Sequence, residues 1–67
     1  MTRPIETLTA TWTRAGWWLD ASPPLPMDVA RHRSVARLSG HLGAAGWWYA
    51  AALGDGAHLF QREAPGP

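Results

Sequence analysis

Arg33, Arg37 and His41 follow one another at intervals of four, and on a helix that spacing lines them along one flank. Such a row could track a phosphate backbone while bases stack on nearby indoles. A solvated helix flank uses the same residue types, and the formal net charge of only +1 argues against a strongly nucleic-acid-binding surface. Nucleic-acid contact is therefore the lesser reading, and any such binding would be weak and salt-dependent. The carboxylates are Glu6, Asp20, Asp28, Asp55 and Glu63, and no spacing among them puts two on one helix face. Asp28 suits a helix start and Asp55 a turn, which leaves Asp20 with His58 as the one acid–base pair to consider. Pro4 is too far along to become an N-terminal nucleophile after loss of Met1. Cysteine is absent, and His32, His41 and His58 are too scattered for a familiar metal motif. The expectation is a chain with no catalytic residues, no metal and no cofactor.

The tryptophans are more informative. Five occur in 67 residues, and four of them form the pairs Trp17-Trp18 and Trp47-Trp48, each led by Ala-Gly. Neighbouring strand residues point to opposite faces, so one member of each pair should serve the core and the other a contact. With Trp17 and Trp47 inside, Trp18 and Trp48 would share a bare face with Ala50, Ala52 and Trp12. Each indole brings roughly 150 to 250 Å² of buriable surface, more than a soluble monomer ordinarily leaves wet. Trp12, Trp18, Trp48 and Tyr49 are the candidate interface residues, and a register slip of one would swap the members of a pair. The expected partner is a second copy of the chain or a larger protein complex. Two other uses stay open: the proline-rich "SPPLPM" segment folding over this face, or an aromatic cage for a small ligand. The repeated "AGWW" occurs only twice, too few for a solenoid.

The positioning elements follow from periodicity. "IETLTATW" alternates Ile5, Thr7, Thr9 and Thr11 against Leu8, Ala10 and Trp12, a half-buried strand. "TRAG" then either turns the chain into a short strand "WWLDA" or bulges a longer one at Gly16. "SPPLPMD" is a loop, with Pro26 and Asp28 suited to open a helix. From Met27 to about Ala45, the spacing of Val35, Leu38, Leu42 and Ala45 predicts one helix, with Gly46 as its left-handed cap. Gly40 and Gly43 weaken its last turns, or let it lie close to a sheet. After it, "WWYAAAL" alternates Trp47, Tyr49, Ala51 and Leu53 against Trp48, Ala50 and Ala52. "GDG" makes a hairpin turn, and "AHLFQRE" returns with His58, Phe60 and Arg62 on one side. "APGP" at the end should be disordered.

The segment from Leu38 to Glu63, with "LGAAGW" at Leu42 to Trp47 and "FQRE" at Phe60 to Glu63, resembles the DUF4177 family of small bacterial proteins. Members carry a helix ending in an "LGxxGW" signature, then a hairpin closing on an aromatic and a basic residue. The likeness covers Val35 to Glu63, whereas "LTATWTRAGWW" departs from the "WEYKVV"-like first strand of the family. It implies a β-α-β-β unit and carries no enzymatic residues.

Residues 1–63 should thus form a single small α+β domain, an antiparallel sheet of three or four strands with one helix on one face (ββαββ or βαββ). A chain this small buries only about 60% of the surface its unfolded form exposes, so dense aromatic packing or self-association must supply part of its stability. No apolar run of about 18 residues occurs, and the opening segment lacks an apolar leader, so the expected location is the cytoplasm.

Overall fold

The computed structural model describes residues 3–21 and 24–64. In chain order the elements are β1 (Ile5–Thr13), β2 (Gly16–Leu19), α1 (Met27–Ala30), α2 (Val35–Gly43), β3 (Trp48–Gly54) and β4 (Ala57–Glu63). The four strands form one antiparallel sheet in the order β2-β1-β4-β3. The chain leaves one sheet edge at Leu19 and returns at the other edge at Trp48, so the helices between them cross a single face. The result is the α+β architecture expected from the sequence, with a hairpin on either side of the helical region and two helices in place of one.

β1 and β2 are joined as a hairpin, the first of the two arrangements open for "TRAG". Thr13 faces Gly16, and the Thr13 hydroxyl donates to the Gly16 carbonyl at 2.7 Å while accepting from the Ala15 amide at 3.1 Å. The second turn is set by Asp55 and Gly56, both at positive φ (53° and 78°), the pair of values a type I′ hairpin loop requires.

The core lies between the sheet and the helices. Leu8, Ala10 and Phe60 from the two central strands meet Leu38 and Leu42 of α2, with Val29, Trp17 and Trp47 closing the edges. The period of two in β1 and β4 and the three-four spacing of α2 bring these apolar side chains together.

The helical region differs from the single helix expected over residues 27–45. It breaks after Ala30 and restarts at Val35, with Ser34 as the new N-cap accepting from the Arg37 amide at 3.1 Å. The break is held from two sides. His32 Nδ1 accepts from the Ser34 amide at 3.2 Å, and the Trp17 indole donates to the His32 carbonyl at 2.9 Å. An unbroken helix would occupy that carbonyl within itself.

At the far end, the Trp47 amide donates to the Leu42 carbonyl and the Gly46 amide to the Gly43 carbonyl, both at 3.0 Å. With Gly46 at φ 91°, this is a Schellman cap on the glycine expected for it. Ala45 falls in the cap and is exposed, so it does not belong to the buried stripe. A side chain at Gly40 or Gly43 would meet nothing within 4 Å, so close helix–sheet packing does not explain these glycines. Gly40→Ala should accordingly stabilise the fold by roughly 0.5–1 kcal/mol, seen as a higher urea midpoint with unchanged slope.

β3 departs from strict alternation. Its register against β4 shifts between Tyr49 and Ala51 and again between Ala52 and Gly54, leaving Ala50 and Leu53 as bulged residues. Ala51 consequently pairs with Leu59, while Ala52 pairs with His58, the reverse of their expected sides. Three consecutive alanines at an exposed edge give little packing reason to hold one register. Of the segment expected to be disordered, Ala64 donates its amide to the Pro4 carbonyl at 2.9 Å, and the remaining three residues lie outside the described ones.

Candidate interaction surface

Each Trp pair divides as its strand geometry requires. Trp17 and Trp47 are 8% and 5% exposed, whereas Trp18 and Trp48 are 59% and 45% exposed. The sheet face away from the helices is built in rows. Trp48, Gln61 and Thr7 form one, Ala51, Leu59 and Thr9 the next, and Ala57 and Thr11 lead to Trp18 in the third. Ile5, 49% exposed, faces Glu63 at the margin, and Glu63 is the only charged residue in these paired rows.

The two exposed indoles do not touch. Trp18 is level with Thr11 on one edge strand and Trp48 with Thr7 on the other, so about 13 Å along the strands and about 14 Å across them separate the two backbones. They occupy diagonal corners over a floor of threonine, alanine and leucine. An aromatic cage formed by these two indoles is therefore not present on this face.

Trp12 and Tyr49 stand on the opposite, helix-bearing face; this corrects the placement of Trp12 beside Trp18 and Trp48, whereas Tyr49 is on the Trp47 side that its alternation predicts. Trp12 pairs with Trp17 in register and meets it edge-on, centroids 5.3 Å apart. Tyr49 pairs with Phe60, packs perpendicular to it at 5.4 Å, and its hydroxyl lies 2.9 Å from His58 Nδ1. His58 in turn sits 5.9 Å from Trp17, so an aromatic row runs across all four strands. His58 was not among the contact residues expected from the sequence. Its alternation with Phe60 was the available signal.

At the other end of the core, the Arg62 guanidinium covers the Trp47 ring at 4.4 Å and its Nε donates to Glu6 Oε1 at 2.8 Å. Both charged side chains are partly exposed, so the pair itself adds little stability, and its larger effect is to hold the arginine over the indole. Trp47 Nε1 is buried with no acceptor among the described residues.

The remaining candidates do not assemble. Arg33 lies before α2, in the connection ending at Ser34, so it does not continue the line of Arg37 and His41. The Asp20 carboxylate accepts from the Thr9 amide at 2.7 Å, while His58 is engaged by Tyr49, so the two do not act as a pair. Among the described residues no cluster of three His, Cys, Asp or Glu side chains is placed to hold a metal ion. Among the described residues no helix is long and apolar enough to cross a membrane.

No family model matches the chain, and no curated protein or solved structure matches it either. The likeness to the DUF4177 signature thus rests on the residues of the α2 cap and the β3–β4 hairpin alone.

Proposed function

We propose that the chain is a non-enzymatic protein-interaction module that pairs with a second copy of itself through the open sheet face. The observation that carries this reading is the placement of Trp18 and Trp48 at diagonal corners of a face whose paired rows hold one charge, at the margin. In a two-fold contact the same patch meets itself, so two corner knobs and a floor of small residues can interlock without opposing like charges. Strands of nine, four, seven and seven residues span a face of at most roughly 20 by 25 Å, about 500 Å² per copy. That is the low end of specific interfaces, which favours an association that dissociates on dilution over a permanent one.

Light scattering over a dilution series tests this. The mass should fall from two copies towards one as the chain is diluted from about 1 mM to about 1 μM. Trp18→Ser and Trp48→Ser should each weaken the pairing tenfold or more, as loss of a buried aromatic anchor does. Because both side chains are exposed, circular dichroism of the variants should match the parent. A folded monomer at every concentration would overturn pairing with itself and direct attention to docking on a larger complex as an accessory subunit.

A further inference from the structure

A second surface lies apart from the open sheet face. Trp12, Arg14, Ala15, Gly16 and Arg31 line a cleft of about 410 Å³ where the β1–β2 turn meets the end of α1. We propose that this cleft binds a small phosphate monoester carrying a flat ring, a ligand of the mononucleotide type.

The size falls within the range of small-molecule sites, roughly 300–1,000 Å³. No carboxylate lines the cleft, and neither Arg14 nor Arg31 is in a salt bridge among the described residues, where Arg62 with Glu6 is the ion pair. Two free guanidiniums on one small cleft match the charge of a phosphate monoester, about −1.5 to −2 at neutral pH. A carboxylate would need one of them only. Planar guanidiniums also suit phosphate oxygens, which accept paired hydrogen bonds from them.

Trp12 supplies an aromatic wall, and it is a fixed one. It packs on Trp17, whose indole nitrogen is anchored to the His32 carbonyl. Flat rings stack on indoles in single-stranded nucleic-acid complexes with little dependence on which base it is. The frame that brings the arginines together is equally rigid. Gly16 lies so close to Ala30 that a Cβ there would stand 2.2 Å from the Ala30 carbonyl oxygen, which fixes the turn bearing Arg14 against the helix end bearing Arg31.

Nuclear magnetic resonance of the whole chain, followed at the Trp12 indole N–H, tests the proposal with adenosine monophosphate as the probe. A saturable shift is expected, with a dissociation constant on the order of 0.1–1 mM. Adenosine, inorganic phosphate and benzoate should each bind about tenfold more weakly, since each lacks the ring, the phosphate or the second negative charge. Arg14→Ala combined with Arg31→Ala should weaken binding tenfold or more. Arg37→Ala, on α2 and outside the cleft, should leave it unchanged. Both cleft arginines are exposed, so the double variant keeps the fold, and circular dichroism verifies that. The proposal is overturned by the absence of a saturable shift at about 10 mM probe. It is equally overturned if the double variant binds as the parent does, if Arg37→Ala abolishes binding, or if benzoate binds as tightly as the nucleotide.

Discussion

Gly16→Ala should destabilise the chain by about 3 kcal/mol or more and leave much of it unfolded at physiological temperature. Two causes act together at this position. The φ of 107° lies in a region that side-chain-bearing residues rarely adopt, and the added Cβ would stand 2.2 Å from a backbone oxygen of α1. A flexible side chain could move aside, but the Ala30 carbonyl belongs to the helix end. The helix would have to shift, and with it the His32 carbonyl that anchors Trp17. Urea denaturation followed by far-ultraviolet circular dichroism measures the effect. Gly40→Ala in the same chain gives the opposite sign, because that site is helical and open. If Gly16→Ala melts with the parent, the close approach of turn and helix is not part of the fold in solution.

Phe60→Ala should cost about 3–5 kcal/mol, the range for emptying a packed aromatic site. Phe60 is fully buried on central strand β4, faces Leu8 and carries the perpendicular contact with Tyr49. A domain this small seldom has more than about 3–5 kcal/mol of stability in total, so the variant should lack a cooperative thermal transition. Leu59→Ala, one residue earlier on the open face and only half-buried, should cost about 1 kcal/mol or less. Equal losses at the two positions would mean that the helices cover a different face of the sheet.

Where burial imposes a strong period, the sequence is a good guide to this fold. The alternation in β1 and β4, the inward and outward members of each Trp pair, the Gly46 cap and the Asp55-Gly56 turn all follow from local chemistry. The features that do not follow depend on distant contacts. The helix breaks after Ala30, and the connection that follows is held by an indole fifteen residues away that donates to the His32 carbonyl; no residue between 27 and 34 announces the break apart from the capping serine. The sides of Ala51 and Ala52 are exchanged by a bulge after Tyr49, and these alanines carry no preference that would fix the bulges in advance. The open face was legible in outline, although the two indoles stand further apart on it than one continuous patch would need. The cleft was not, since Arg14 and Arg31 come together only where a glycine lets a turn press on a helix end.

The sheet order also governs when this molecule can acquire its structure. Its central seam joins β1 to β4, and the Glu6–Arg62 pair on that seam is separated by 56 positions in the chain. Neither β1 with β2 nor β3 with β4 has a second hydrophobic layer of its own, because the helices rest on residues contributed by both hairpins. During synthesis the first hairpin must wait, uncovered, until β4 has cleared the ribosome exit tunnel. The loop closed by that seam is nearly the whole polypeptide, a topology that slows folding and makes it all-or-none. Nascent chains stalled before Phe60 should therefore be protease-sensitive throughout, with no protected amino-terminal fragment.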